Sequence, residues 1–333
     1  MINLEKDDLR AVIHEASLAP SVHNVQPSRW QHKDGSIELL GDRSRSVPVA
    51  DPTWRDWRLS HGAALEGLEI ALARRGLGLR LELLPEPEAA MAAAALQPIA
   101  RATLTSGRAR SVDEPVAERV SWRGAFRPID AQTEASLDLL MAANDSLHLI
   151  REQTEIESAA ALADRAGLHF LRDAEHRREL LQWLRLSRRH PDYARDGLNA
   201  EAMGLGAIEA WDAGLVLGPL FSALDAIGVA GALTSESSKT RSAAAVALLH
   251  RPIGEDAFVS GRHFYRAWLA IERAGLKGSS MSVLADWPFA RELLHRRHRL
   301  GGERHIVGVF RLGRPDGTPS VVRARLPVDE LIV

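Results

Sequence analysis

Residues 19–27 read Ala19-Pro20-Ser21-Val22-His23-Asn24-Val25-Gln26-Pro27, directly after a stretch with helical periodicity. Leu9, Val12, Ile13, Ala16 and Leu18 form the apolar face of an expected amphipathic helix over 5–18. Pro20 ends that helix, because a proline disfavours helical geometry in the residue before it. Ser21, His23, Asn24 and Gln26 then bring a hydroxyl, an imidazole and two amides, which between them donate and accept several hydrogen bonds. Such a set suits a flat heteroaromatic ligand with alternating donors and acceptors along one edge. A polar turn that only closes the helix is the plainer alternative.

The chain has 333 residues, more than one core usually holds, so one large domain or two closely joined ones are expected. A formal net charge of -2 supplies no electrostatic footprint for nucleic acid or an anionic membrane, and neither is an expected partner. The absence of cysteine removes disulfides, thiolate chemistry and Cys-ligated zinc or iron–sulfur clusters. The first residues carry neither the basic region nor the apolar run of a signal peptide. The longest apolar stretch, 204–233, is interrupted by Glu209, Asp212, Gly218, Pro219 and Asp225, which leaves too short a run to span a bilayer. It reads instead as a buried or lid-forming helical hairpin, in a protein expected in the cytoplasm.

Working outward from 19–27, a hairpin is expected in which Lys33-Asp34-Gly35-Ser36 turns 29–32 back into 37–40. A helix follows over 56–75, stopped by Gly76 and Gly78, then strands at 79–84 and 96–104 around an Ala-rich helix near 88–95. Residues 105–113 read as a linker. Beyond it come expected helices at 114–120, 130–143, 153–166, 174–189 and 256–274, with strands at 146–151, 246–249 and 304–312 and an extended piece at 279–284. Strands interleaved with helices indicate an α+β (or α/β) chain. Both halves run helix, strand, helix, strand, which suggests two copies of one unit, at 1–107 and 112–333.

A second constellation is Arg119-Val120-Ser121-Trp122-Arg123-Gly124-Ala125-Phe126. Two arginines four apart, with a hydroxyl between them, can converge on one anion, since the guanidinium fork matches phosphate oxygens. An exposed basic helix face is the alternative.

The two segments together resemble the nitroreductase superfamily, whose first helix is followed by Ala-Pro-Ser-x-x-Asn-x-Gln-Pro-Trp-x-Phe and whose chain opens with Arg-x-Ser-x-(Arg/Lys). Here Ser28 takes the usual Trp position and Trp30 the usual Phe position, and one extra residue precedes Phe126. The order is inverted relative to a conventional member, with the Pro-Ser-x-x-Asn motif first and the Arg-x-Ser-x-Arg motif a hundred residues later. That order, the run His61-Gly62-Ala63-Ala64-Leu65-Glu66 and the block at 197–205 resemble the long, fused Acg-like nitroreductases, with His61 in place of a frequent Cys.

The resemblance implies a nitroreductase-like fold in which the two halves of one chain mimic a homodimer and build one flavin mononucleotide (FMN) site between them. Pro20, Ser21, His23, Asn24 and Gln26 would lie along the flavin ring. Arg119 would hold the phosphate, Ser121 would bond the ribityl–ring region, and Arg123 would stabilise charge on the reduced flavin, as a cation near N1 does. Arg323 and Arg325, in Arg323-Ala324-Arg325-Leu326-Pro327, match the basic pair that closes the family's chains, with Arg311 and Arg314 as nearby competitors. The loop 275–282, which ends at Ser282, stands where the family presents a backbone amide to flavin N5.

The implied activity is FMN-dependent oxidation of NAD(P)H, with hydride passing through flavin N5 in ping-pong fashion to a nitroaromatic, quinone or similar electron-poor small molecule. The alternative is an FMN storage or sequestration protein with little turnover. No side chain stands out as a catalytic acid or base, and no metal motif appears among the thirteen histidines. The basic runs at 188–190 and 295–299 read as solvated faces. With both halves in one chain a monomer can be functional, and a homodimer stays open.

Overall fold

The computed structural model describes residues 2–85, 95–107, 113–318 and 323–333. The expected Ala-rich helix near 88–95 lies almost wholly outside the described residues, as does the middle of the expected linker at 105–113.

The chain begins with α1 (Lys6–Ala16), which buries Leu9, Val12, Ile13 and Ala16, the face expected from their spacing. A short turn over Val22–Asn24 leads into β1 (Ser28–Lys33) and β2 (Ser36–Asp42). Asp34 and Gly35 join these strands with positive φ at both positions, 51° and 71°, the geometry that matches the twist of a two-residue hairpin. The long α2 (Arg55–Arg74) follows, then β3 (Leu77–Leu83) and β4 (Leu96–Ser106).

The rest of the chain comprises α3 (Ala131–Ala143), β5 (Leu147–Ile150), α4 (Gln153–Arg172), α5 (Ala174–Trp183), β6 (Leu184–Arg185), β7 (Leu198–Asn199) and α6 (Ala200–Met203). After α7 (Ala207–Leu217), α8 (Phe221–Ala226), α9 (Ala230–Leu233) and α10 (Ser237–Arg241) come β8 (Ala245–Pro252) and the long α11 (Ala257–Arg273). The chain closes with β9 (Lys277–Ser280), α12 (Ser282–Asp286), α13 (Pro288–Arg297), β10 (Arg304–Gly313) and α14 (Val328–Leu331).

The architecture is α+β, as expected. Two four-stranded sheets run in the orders β1-β2-β4-β3 and β5-β8-β10-β9. Both are antiparallel throughout, and both place their own first, second, fourth and third strands side by side. Each has a helix before its first strand and one long helix between its second and third. The shared pattern is therefore helix, two strands, helix, two strands. Where the first sheet has a two-residue turn between its first two strands, the second carries residues 151–244.

The two long helices α2 and α11 pack against each other through glycine. A Cβ on Gly62 would lie 1.9 Å from the Phe258 carbonyl oxygen, and one on Gly261 would lie 2.0 Å from the Leu59 carbonyl oxygen. No other residue permits so close a backbone approach. Glu66, fully buried on α2, then pairs with Arg262 and Arg266 of α11 at 2.9 and 2.8 Å, which compensates its buried charge. One core joins α1, α2 and the first sheet to Phe258, Tyr265 and Leu269 of α11, while two others cover the faces of the second sheet.

Chain segments also cross between the sheets. Ser121 forms a parallel bridge with Gly278 beside the second sheet, and Ile332 does the same with Trp30 beside the first. The expected helix at 114–120 is a turn instead. The Arg323 guanidinium takes the carbonyls of Val116, Ala117 and Arg119 at 3.3, 2.6 and 2.7 Å, in competition with the bonds a helix would make. The expected helix 174–189 stops at Trp183, where β6 pairs in parallel with β7. The expected extended piece at 279–284 is divided between β9 and α12. Among the described residues no helix is long and apolar enough to cross a membrane.

Candidate functional site

A cavity of about 540 Å³ opens where the segments at 20–24, 119–124, 197–204, 280–286, 307–308 and 323–325 meet. Ten of the residues singled out in the sequence border it: Pro20, Ser21, His23, Asn24, Arg119, Ser121, Arg123, Ser282, Arg323 and Arg325. Gln26 does not. Its amide is taken up elsewhere, donating to the Arg195 carbonyl at 2.8 Å and accepting from the Leu326 amide at 2.9 Å, so it clamps the C-terminal segment to the turn. Arg311 is buried in β10, paired with Glu236 at 3.0 Å, and Arg314 is paired with Asp130 at 2.8 Å; neither borders the cavity. Of the apolar stretch 204–233, Gly204 alone is among the lining residues, and the wall on that side comes from 197–204.

The turn after α1 is held in an unusual shape. His23, Asn24 and Gln26 have φ of 42°, 56° and 52°, left-handed values that side chains with a Cβ seldom adopt. Three such residues in four positions store strain that surrounding contacts must offset. Asn24 supplies much of that: its Nδ2 donates to the Gly197 and Ala324 carbonyls at 3.1 Å each, and its Oδ1 accepts from Arg325 at 2.9 Å. The Ser21 hydroxyl accepts from the Gln26 amide at 3.0 Å and closes the turn. His23 Nδ1 is buried with no hydrogen-bond partner. Burial, with Arg123 and His176 nearby, pulls the His23 pKa down to about 4, so its ring is neutral at physiological pH.

Three arginines gather on the same cavity. Arg119 is 4% exposed, donates to the Leu18 carbonyl at 3.0 Å, and stacks its guanidinium 4.6 Å from the Trp268 ring centroid, yet its Nε has no partner. Arg325 donates to the Ser17 and Leu18 carbonyls at 2.6 and 3.2 Å, which places both guanidinium groups at the end of α1. Burial, then the charges of Arg119 and Arg323, pulls the Arg325 pKa down to about 9. Burial lowers Arg119 and Arg323 as well. The acid that acts on both of those, Glu272, is itself bonded to Lys277 and to the Val120 amide. Like charges brought together in a buried place, with a donor left unmade, are a cost that a bound anion would offset, and guanidinium forks suit a phosphate.

Arg123 stands apart from that group. Its Nη1 donates to the Ala202 carbonyl at 2.6 Å, and burial lowers its pKa. Sequence reading missed two further lining residues, Asp56 and Asp286. They come from α2 and α12, and no spacing pattern links residues so far apart. Among the described residues no cluster of three or more potential metal ligands occurs.

No family model matches the chain. Two proteins of Mycobacterium tuberculosis that bear the name "Putative NAD(P)H nitroreductase" are similar to it. One, called acg, is 27% identical over 179 residues, or 53% of this chain and 54% of that protein. The other is 26% identical over 181 residues, or 54% of this chain and 52% of that protein. The chain thus spans about half the length of the curated relatives it matches. Among solved structures, the FMN-dependent nitroreductase NfnB of Mycobacterium smegmatis, in complex with NADPH, is 16% identical with a TM-score of 0.33, covering 64% of this chain and 88% of that one. A second NfnB, described as FMN- and NADPH-dependent and from a Sphingopyxis species, is 17% identical with a TM-score of 0.36, covering 67% and 98%. Over that half of its length, the chain is similar in sequence to proteins that bear the name putative NAD(P)H nitroreductase.

Proposed function

We propose that this chain is an FMN-dependent NAD(P)H oxidoreductase whose acceptors are electron-poor small molecules such as quinones and nitroaromatics. The observation that carries the reading is the convergence of Arg119, Arg323 and Arg325 on one cavity with an unmade donor on Arg119. Those three residues would hold the FMN phosphate. Ser21, His23 and Asn24 would face the ring, with Ser121 toward the ribityl chain and Ser282 on the loop beside it. Bound FMN would supply the hydride chemistry, accepting from NAD(P)H and delivering to the acceptor. Arg123, desolvated and cationic, would favour negative charge on the reduced ring. The names of the sequence relatives support the nicotinamide donor.

The two units would be a fused pair, 1–107 and 112–333, that share this one site. Their common strand order and the reciprocal glycine contact of α2 and α11 support that reading, and it makes a monomer sufficient. Purified chain mixed with FMN and NADPH under anaerobic conditions tests the function. Rapid bleaching of the flavin bands followed by reoxidation with a quinone is the expected result. Tight FMN binding without bleaching would instead mark a storage protein.

A further inference from the structure

Asp56 on α2 and Asp286 on α12 border the cavity from opposite units. One guanidinium serves both: Arg55 Nη1 lies 3.2 Å from Asp56 Oδ1 and 3.3 Å from Asp286 Oδ1, while its Nη2 donates to the Val307 carbonyl at 2.9 Å. The other charged or titratable groups that face this set are few. Asp51 adds negative charge, although one of its oxygens accepts from the Trp57 amide at 2.8 Å. Arg291 of α13 donates to the Ala285 carbonyl at 2.7 Å, and His305 of β10, beside Arg55 and Arg291, is driven toward its neutral form by burial.

Two carboxyl groups that share one cation in a cavity wall, their side chains 20% and 25% exposed, do not both ionise readily. Burial, then the charge of Asp56, pushes Asp286 up to about 8, and burial raises Asp56 as well. Near neutral pH the pair therefore holds one proton, which belongs to both residues together. An independent mark of a ligand lies in the same cavity, the buried and unpartnered Nε of Arg119.

We propose that the Asp56–Asp286 pair donates a proton to the oxygen of a quinone reduced in this cavity. The proposal rests on the oxidoreductase reading given above. A quinone that receives a hydride gains two electrons and one proton and is left as an oxyanion. The O–H bond of the carboxyl pair then breaks, a new O–H forms on that oxygen, and the resulting dianion is held by Arg55 until solvent returns the proton. The reductant is NAD(P)H, acting through FMN.

The first test needs no cofactor. Infrared spectra of the purified chain between pH 5 and 9 should show one protonated carboxyl that titrates near pH 8. Asp286→Asn should abolish that band, and Asp56→Asn should move its midpoint down, because the remaining carboxyl then has Arg55 to itself. The wild-type titration stands without either variant, and a chain with no protonated carboxyl above pH 6 overturns the proposal. The second test mixes anaerobically pre-reduced, FMN-loaded protein with benzoquinone. Asp286→Asn should slow flavin reoxidation at least about tenfold and remove its decline above pH 8. An unchanged reoxidation rate overturns the proposal. If NADPH bleaches no flavin in the wild type, the oxidoreductase reading fails and proton delivery with it, a result told apart by an infrared band that is still present.

Discussion

Arg325 donates to the Asn24 side chain at 2.9 Å across 301 positions of sequence, and the same Asn24 bonds the carbonyls of Gly197 and Ala324. One amide thus ties the turn after the first helix to the C-terminal segment and to the wall opposite. Asn24→Ala removes three hydrogen bonds from a strained turn and frees Arg325. The expected result is a loss of about 2–3 kcal/mol in stability, read from urea denaturation, together with weaker FMN binding. Asn24→Asp, which keeps the acceptor for Arg325, should recover part of the loss.

Arg119→Ala separates binding from folding. Arg119 donates to the Leu18 carbonyl and stacks on Trp268, so stability should fall modestly through the lost bond and packing. FMN affinity should fall roughly ten- to a hundredfold, the value of a charge-assisted contact of about 1.5–3 kcal/mol. Calorimetric titration with FMN and with riboflavin checks this. The variant should bind the two more nearly alike, because riboflavin has no phosphate.

Gly62→Ala tests the contact between the long helices. The added Cβ would meet a backbone oxygen at 1.9 Å, and backbone cannot rotate aside as a side chain can. A cost of about 3 kcal/mol or more is expected, seen as a lower denaturant midpoint, and Gly261→Ala should behave alike. Gly302→Ala, where nothing lies within 4 Å, serves as the control.

His61 predicts a pH dependence. Its ring is fully buried, its Nδ1 lies 2.8 Å from the Ser28 hydroxyl, and burial pulls its pKa down to about 3. Between about 3 and the unfolded value near 6.5 the unfolded chain binds the extra proton, so this stabilisation is full above pH 6.5 and declines as pH falls. The slope is about 1.4 kcal/mol per pH unit, or about 2 kcal/mol from pH 6.5 to 5. Asp286, raised rather than lowered, acts in the opposite sense as pH rises toward 8, so the total curve mixes both. The difference between wild type and His61→Gln isolates the histidine. It should shift toward the variant as pH drops, and a difference that is flat with pH would contradict the assignment.

Local chemistry was legible in the sequence wherever one segment decided it. The spacing of Leu9, Val12 and Ile13 gave the first helix its buried face, and Asp34-Gly35 specified its hairpin because both residues tolerate positive φ. The motifs at 20–24 and 119–123 were legible too, since each is contiguous. What escaped the sequence depends on partners far along the chain. The turn at 116–118 replaces an expected helix because Arg323 takes its carbonyls, and Gln26 is spent on Arg195 and Leu326. The Asp56–Asp286 pair exists only because α2 and α12 meet at the cavity. A resemblance to a family supplied the link between the two motifs, and without it they would have stayed a polar turn and a basic run.

The most direct measurement is the visible spectrum of the purified chain after incubation with FMN and gel filtration. The account predicts flavin absorbance co-eluting with protein at one FMN per chain, whether the chain runs as monomer or dimer, and its loss in the Arg119→Ala Arg325→Ala double variant. Protein that emerges colourless, or that retains FMN equally well without those arginines, would contradict it.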